Sequence, residues 1–181
     1  MKLTKRNKGI ITTTFEFWSD GKIKIIHEYP ADWLRRQYNK TLFDGDWIIT
    51  SRVDNDDTVY PDYIQRVQEQ FNEKFLLVDT DGLQRDVRTG KHYTVNRDSN
   101  NSPFISLIEQ VGTPWQSISK DQNERDIFKK NTEGMPIKTV YFCSHSKMEY
   151  HFPSMKIQEK LYKMNIHDRN VINKIVGHEI L

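Results

Sequence analysis

The sequence predicts an α/β fold, and two observations indicate it. First, an apolar and β-branched run at residues 47–50 is followed by an acidic cluster, a helix-like pattern at residues 61–71 and another apolar run at residues 75–78. This is the order of a βαβ unit, whose two parallel strands belong to a sheet that helices cover. Second, the chain has 181 residues, 36% of them hydrophobic, which suffices for one domain with a buried core. We therefore expect a single domain over residues 1–181.

The N-terminal part of the chain predicts two strands and a helix. Residues 9–18 are rich in β-branched and aromatic side chains, and residues 22–29 alternate in polarity, so both are predicted strands on either side of an SDG break. Residues 30–43 begin with proline and place three apolar side chains at helical spacing. This pattern predicts an amphipathic helix.

The central part predicts the βαβ unit itself. Residues 44–53 read as a turn and then a strand, and the lack of alternation at its apolar residues indicates a strand covered on both faces. Ile64, Val67 and Phe71 form one apolar stripe after Pro61, which predicts a helix. A strand that ends in a turn is then expected at residues 75–82.

The rest of the chain predicts a hairpin at residues 83–95, a short apolar segment at residues 104–110 and a strand at residues 138–145. The polar and charged residues 117–136 indicate a mobile surface excursion. Residues 153–164 predict a helix with Ser154 as its cap.

Composition excludes several classes of function. The formal net charge is +2, which is too balanced for a nucleic-acid-binding protein with a clustered basic face. The single cysteine, Cys143, allows no internal disulfide and is typical of a reducing compartment. We see neither a secretion signal nor an apolar run near the roughly 20 residues that cross a bilayer. We therefore expect a cytoplasmic protein without a transmembrane segment.

An acidic cluster stands at the carboxyl end of the predicted strand over residues 44–53. Asp54, Asn55, Asp56 and Asp57 lie side by side, at the edge where open α/β sheets bind ligands. Mg²⁺ is commonly held by one or two protein carboxylates together with substrate phosphate oxygens. Two interpretations stay open: a cation site, or a solvated turn whose charge favours the following helix N-terminus.

Four segments of the chain resemble, in the correct order, the rhamnosyltransferase family of bacterial and phage-type glycosyltransferases. The segments are WIITSRVDNDDTVYPDYIQRVQEQF, NSPFISLIEQ, TVYFCSH and LYKMNIHDRN, within residues 46–174. The first contains the family's pattern of a strand, Arg-x-Asp-Asn-Asp-Asp and a helix. The resemblance implies a GT-A fold, a nucleotide-sugar donor, a saccharide or other hydroxyl acceptor, and Mn²⁺ or Mg²⁺ as cofactor.

The resemblance also implies roles for particular residues. Asp56 and Asp57 would hold the metal, with His167 completing its shell from the far end of the chain. Asp54 and Asn55 would lie at the donor, and Asp54 would face the sugar or the ribose. Arg52 would pair with phosphate or with a neighbouring carboxylate. Asn170 takes the place of the family's closing asparagine.

A transfer that inverts configuration also needs a general base. Glu109 is the candidate, because a carboxylate that follows an apolar strand is expected near the sheet edge; the alternative is an ordinary strand end that faces solvent. His145 and His151 could imitate a metal pair, but we favour surface or acceptor-loop roles for both.

The N-terminal part departs from the family. A GT-A enzyme builds its nucleotide pocket from βαβ units of roughly 30 residues each, yet the first strands here are joined by a tight turn. A second chain or a second copy of this one would complete the pocket, the chain would be part of a split gene, or catalysis would be lost. The rival functions are therefore a binding module without catalysis and a metal-dependent nuclease or phosphatase.

Overall fold

The computed structural model describes residues 13–19, 22–28, 46–53, 57–95, 102–135, 137–140, 145–167, 175 and 177–180. Within these residues the chain is a mixed α/β structure with a two-stranded and a seven-stranded sheet. The α/β prediction is therefore confirmed at the level of fold class. None of the helices in the described ranges has the length and apolar character that crossing a bilayer requires.

The two-stranded sheet is an antiparallel hairpin of β1 (Thr13–Ser19) and β2 (Lys22–Glu28). Its register runs from Thr13 opposite Glu28 to Ser19 opposite Lys22. Both predicted strands are confirmed over these residues; Asp20 and Gly21, between them, lie outside the described residues. The predicted helix at residues 30–43 lies outside the described residues.

The larger sheet is mixed, with parallel and antiparallel neighbours. Its strands are β3 (Trp47–Ser51), β4 (Thr58–Val59), β5 (Leu76–Asp86), β6 (His92–Thr94), β7 (Ser106–Gln110), β8 (Ser154–Ile166) and β9 (Glu179–Ile180). The order is β3, β7, β5, β6 and β9, while β8 pairs with β5 and with β4. The described helices are α1 (Tyr63–Gln68), α2 (Gln122–Thr132) and a 3₁₀-helix (His145–Tyr150).

The predicted βαβ unit is present with one strand inserted. β3 and β5 are each antiparallel to β7, which lies between them, so they run parallel to each other with α1 in the connection. β3 is an end strand in the described part of the sheet, and four of its five residues are half-buried. The prediction that β3 is covered on both faces is met in part, because Ile49 packs on the second core cluster and Thr50 accepts from the Val140 N–H, while most of its residues stay half-buried.

The strands that are covered on both faces are β5 and β7. Leu77 and Leu107 pack in a core cluster with Phe128 of α2, whereas Val78 and Ile108 pack in a second cluster with Tyr63 of α1. Neighbouring residues reach opposite clusters because side chains alternate along a strand. Trp47 of β3 and Val59 of β4 both contact the second cluster; these strands lie far apart in the strand order, so the sheet curls around α1.

α1 is shorter than the predicted helix and buries a different stripe. It ends at Gln68, three residues before Phe71. Tyr63 and Val67 are buried, while Ile64 is 49% exposed and Phe71 is 41% exposed. The buried face of α1 is therefore rotated relative to the predicted stripe, because Tyr63 and Val67 are the residues that pack in the second core cluster.

The helix predicted at residues 153–164 with Ser154 as its cap is wrong, because this segment is β8. Lys, Gln, Glu, Leu and Met are good helix formers, so local propensity favoured a helix. β8 instead pairs in parallel with β5 over ten residue pairs. Its end shows period two, with Tyr162, Met164 and Ile166 buried, so tertiary pairing overrides propensity.

The turn expected near residues 79–82 is also wrong, because β5 continues through it to Asp86. Gly82 lies opposite Tyr162 of β8. A Cβ atom at Gly82 would lie 2.2 Å from the Tyr162 ring, so glycine allows this ring to pack on the strand. The predicted hairpin at residues 83–95 is confirmed by the antiparallel pairing of β5 with β6.

Residues 117–136 contain α2 instead of only a mobile excursion, so this prediction is wrong for the helical part. The Asp121 side chain caps the helix by accepting hydrogen bonds from the backbone N–H groups of Asn123 and Glu124. Phe128 anchors the helix in the core and is 2% exposed. Because charged residues dominate this segment, its sequence did not predict the helix, which one aromatic side chain and an N-cap stabilise.

The strand predicted at residues 138–145 does not form where the structure describes it. Residues 137–140 are irregular, and residues 145–150 form the 3₁₀-helix. Thr139 has a φ of 65°, which is incompatible with a strand. Residues 141–144, including Cys143, lie outside the described residues.

Candidate functional site

The acidic cluster begins at the carboxyl end of β3. The backbone N–H of Arg52 donates to the Ile105 carbonyl over 2.9 Å, so the pairing with the β7 side extends one residue past Ser51. Arg52 itself is half-buried. Asp54, Asn55 and Asp56 lie outside the described residues, so their predicted roles stay predictions.

Asp57 is the member of the cluster that the structure describes. Its Oδ1 accepts a hydrogen bond of 2.7 Å from the backbone N–H of Asn165. This contact stands at the end of a short antiparallel ladder in which Thr58 lies opposite Lys163. A residue from the acidic cluster is therefore attached to the end of β8, more than a hundred positions along the chain.

The same contact brings the predicted metal ligand His167 towards Asp57. His167 is half-buried and follows Asn165 by two residues, a span of about 7 Å along an extended chain. In the sequence, 109 residues separate Asp57 from His167. The pairing of β4 with β8 brings these two segments together. Asn170, which the resemblance also assigned, lies outside the described residues.

The described residues are compatible with a divalent cation. A carboxylate has about four acceptor positions, so one hydrogen bond from Asn165 does not preclude ligation by Asp57. Hydrogen bonds of this kind orient ligating carboxylates in metal sites. No group of three or more His, Cys, Asp or Glu residues converges on one point in the described ranges, and these ranges omit Asp54 and Asp56.

Glu109 is placed very differently. It is fully buried on β7. Its Oε2 accepts from the Lys138 N–H over 2.6 Å, and its Oε1 accepts from the Thr139 N–H over 2.8 Å. The positive φ of Thr139 allows the two successive N–H groups to converge on one carboxylate. This arrangement fastens the irregular segment 137–140 to the sheet.

The structure does not bring Glu109 to the acidic cluster. Glu109 lies opposite Ile48, four residues before Arg52, which is about 13 Å along the strand. Lys138 is buried beside it, and burial lowers the pKa of the Lys138 ammonium while the Glu109 charge acts in the opposite direction. The proposed role of Glu109 as a base stays a prediction, and the alternative of a strand end that faces solvent is wrong.

One buried carboxylate of the main sheet was missed by the sequence analysis. Asp79 on β5 is 1% exposed and follows Val78, which pairs with Ser106 of β7. Burial raises the pKa of Asp79 to about 6, although hydrogen bonds from Thr80 and Ser102 and the charge of Lys156 oppose the rise. The sequence predicts a turn at the DTD string, and no polarity alternation from Leu77 to Asp81 marks Asp79 as part of a strand.

The histidines predicted to lie on the surface differ in outcome. His151 is 2% exposed, so a surface role for it is wrong. Its Nδ1 lies 2.8 Å from the Ser117 hydroxyl oxygen, its Nε2 lies 3.8 Å from a Glu124 carboxylate oxygen, and its ring stacks on Phe128. The side chain of His145 lies outside the described residues.

A cleft of about 940 Å³ opens beside this histidine, between α2 and the segment at residues 112–117. Its lining includes Ser117, Arg125, Lys129 and Lys138. Ser117 reaches the cleft, while His151 lies behind it in the core. The volume is within the range of small-molecule sites.

In comparisons with known proteins, no family model, curated protein or solved structure matches this chain.

Proposed function

We propose that this chain is a metal-dependent glycosyltransferase with a GT-A-like arrangement, which moves a sugar from a nucleotide-sugar donor to an acceptor hydroxyl. One observation carries the proposal. The Asp57 carboxylate is hydrogen-bonded to Asn165 at the end of β8, and this strand leads directly to His167. The proposal requires that a late histidine return to the aspartates, and this contact supports that requirement.

In this proposal Asp56, Asp57 and His167 hold Mn²⁺ or Mg²⁺. The ion would stabilise the negative charge that develops on the nucleoside diphosphate leaving group. The N–H of Asn165 orients the Asp57 carboxylate. Asp54 and Asn55 contact the donor, and Arg52 pairs with its phosphates.

Glu109 remains the predicted base for the acceptor proton. Glu109 could act as one only after release from the two N–H groups that it accepts from. We therefore keep Glu109 as a predicted base and treat its shown contacts as structural.

A binding module without catalysis is the second candidate, and the N-terminal hairpin favours it. β1 and β2 pair over seven residue pairs, outside the seven-stranded sheet. A nucleotide-binding half made of βαβ units would instead contribute parallel strands to the main sheet. This difference makes nucleotide binding the property that separates the two candidates.

Isothermal titration of the full chain with UDP, GDP and dTDP, each with and without Mn²⁺, tests the proposal. We expect one nucleotide to bind only when Mn²⁺ is present. His167→Gln and Asp57→Asn should each weaken this binding at least ~10-fold. Asp57→Asn retains an oxygen that can accept from Asn165, so it removes charge with little change of structure.

Two matched variants serve as controls. His178→Gln and Asp62→Asn change exposed residues of the same types and should bind as the parent does. If the folded parent binds none of the nucleotides with Mn²⁺, the transferase proposal fails and the binding module is favoured. If a nucleotide binds equally well after chelation, the metal assignment fails.

A further inference from the structure

A serine, a histidine and a glutamate converge beside the cleft between α2 and residues 112–117. The Ser117 Oγ lies 2.8 Å from His151 Nδ1, within the distance at which a base activates a nucleophile. On the other side of the ring, Nε2 lies 3.8 Å from Glu124 Oε2. This is longer than a hydrogen bond but close enough for electrostatic attraction. The three side chains come from three separate segments, so only the fold brings them together.

The surroundings hold each member in place. The Trp115 indole N–H donates to the His151 carbonyl over 2.9 Å, and the ring of His151 stacks on Phe128 at a centroid distance of 4.9 Å. Glu124 lies in the first turn of α2, and its other oxygen accepts from the Lys147 ammonium over 3.0 Å. The base and its carboxylate neighbour therefore have defined positions before any ligand binds.

The hydrogen bonds around Ser117 and His151 favour the protonation states that a nucleophile and its base require. With its proton on Nε2, towards Glu124, the neutral imidazole presents Nδ1 as the acceptor of the Ser117 hydroxyl proton. Burial lowers the pKa of His151, Glu124 acts in the opposite direction and Lys147 adds to the lowering, which favours the neutral imidazole. The backbone N–H of Ser119 donates to Ser117 Oγ over 3.1 Å, which favours negative charge on that oxygen.

The cleft gives a substrate access to the Ser117 side chain. Ser117 is half-exposed and lines the cleft of about 940 Å³, while His151 is buried behind it. A substrate in the cleft can reach the serine oxygen, and the imidazole stays shielded from water. This is the usual placement of a nucleophile in front of its base.

We propose that Ser117, His151 and Glu124 form a second, nucleophilic site that hydrolyses carboxylic esters bound in the cleft. Ser117 Oγ attacks the ester carbonyl carbon while its proton passes to His151 Nδ1. The bond from this carbon to the alcohol oxygen then breaks, and the alcohol leaves with that proton. Water adds to the acyl-serine, gives a proton to Nδ1, and the acid departs as Ser117 Oγ recovers the proton. Glu124 stabilises the imidazolium in both halves of the reaction.

This site is independent of the proposed glycosyl transfer. Its residues lie on α2, beside the 3₁₀-helix and in segment 112–117, and none of them is a predicted ligand of the metal or the donor. An experiment on Ser117 therefore reports on this site alone, whatever the outcome of the nucleotide titrations.

Labelling of the full chain with a fluorophosphonate probe, followed by peptide mass mapping, tests the proposal. We expect a single adduct, on Ser117, that disappears in Ser117→Ala. His151→Gln should slow labelling by at least ~100-fold, the scale of general base catalysis. Glu124→Gln, on a partly exposed helix face, tests the same site without a change in the buried ring and should also slow labelling. Ser154→Ala changes an exposed serine of β8 and should label at the parent rate.

A second measurement is the hydrolysis of p-nitrophenyl acetate. The rate should fall only at pH values below the ordinary histidine range, because His151 must be neutral, and it should be lost in Ser117→Ala. Each variant is first shown to be folded by its circular dichroism melt. The proposal is overturned if the folded parent gives no adduct, if Ser117→Ala is labelled as fast as the parent, or if Glu124→Gln leaves the labelling rate unchanged.

Discussion

Two carboxylates that the sequence predicts after apolar strands, Asp57 and Glu109, lie at opposite ends of the central sheet and differ in their surroundings. At the carboxyl end of β3, Asp57 is half-buried and accepts from the N–H of Asn165. Near the opposite end, Glu109 is fully buried and accepts from the N–H groups of Lys138 and Thr139. The same sequence signal therefore marks one group that remains partly in contact with solvent and one that belongs to the core.

The difference teaches that solvation and hydrogen bonding decide what a carboxylate can do. A buried carboxylate held by two N–H groups is stabilised as an acceptor, and releasing it would leave buried donors without partners. A half-buried carboxylate near a strand end keeps access to ions and ligands. We therefore expect substitutions at the two ends to affect different properties: stability near Glu109, and ligand binding near Asp57.

The largest effect on stability is expected for Glu109→Ala. The substitution leaves two buried N–H groups without their acceptor and the neighbouring Lys138 without its compensating charge. Breaking a buried charged arrangement of this kind costs about 3–5 kcal/mol. Urea denaturation followed by circular dichroism measures the change in the free energy of unfolding.

Glu133→Ala is the matched control, because Glu133 is exposed near the same segment and should change stability by less than ~0.5 kcal/mol. A loss below about 1 kcal/mol in Glu109→Ala would contradict the assignment of Glu109 to the structural core. It would favour the predicted role of Glu109 as the general base over a structural role.

A stabilising effect that depends on pH is expected for Asp79→Asn. The Asp79 pKa is raised from 3.8 to about 6 in the folded chain, so the folded state holds the proton more tightly than the unfolded state. Stability from this group is therefore complete below about pH 3.8 and is lost as the pH rises through about 6. The rise corresponds to about 3 kcal/mol, the upper limit of the gain expected from asparagine at pH 7–8.

The difference in free energy of unfolding between Asp79→Asn and the parent, measured from pH 4 to pH 8, isolates this group from others that titrate. The difference should grow with pH and level off above about pH 6. Asp126→Asn, an exposed aspartate on α2, should show no such slope. A difference that does not change with pH would show that Asp79 is ionised in the folded chain throughout.

The smallest effect is expected for Asp121→Ala at the start of α2. The side chain accepts from two N–H groups of the first turn, and loss of an N-cap costs about 1 kcal/mol. The midpoint of thermal unfolding measures the loss. Asp126→Ala, within the same helix, should cost less than half as much, and equal losses would mean that the cap contributes no more than an ordinary exposed aspartate.

Much of the strand pattern was predictable from the sequence, and the reasons are local. β1 and β2 are β-branched runs on either side of a short break in the sequence, and the β5–β6 hairpin closes around a Thr-Gly pair, with Gly90 at a φ of 73°. Such turns depend on residues adjacent in sequence. β8 was mistaken for a helix because its residues favour helices locally, while its strand form depends on partners about 80 positions away in β5.

The candidate site was predictable only in part. The family resemblance implied Asp57 and His167 as metal ligands, whereas the residue types alone left a cation site and a solvated turn equally open. Their approach could not be derived, because it depends on the pairing of β4 with β8. The burial of Glu109 was equally hidden, since its two donors belong to an irregular segment that the sequence predicted as a strand.

The sequence by itself determined the α/β class, the N-terminal hairpin and the acidic cluster after β3. These features depend on composition, periodicity and turn chemistry, which act between near neighbours. Only the tertiary structure decided that Asp57 meets the end of β8, that Glu109 and Asp79 are buried, and that Ser117, His151 and Glu124 lie close together beside the cleft. These contacts depend on pairing between distant segments, whose free energy comes from burial and from hydrogen bonds that exist only once the whole sheet has formed.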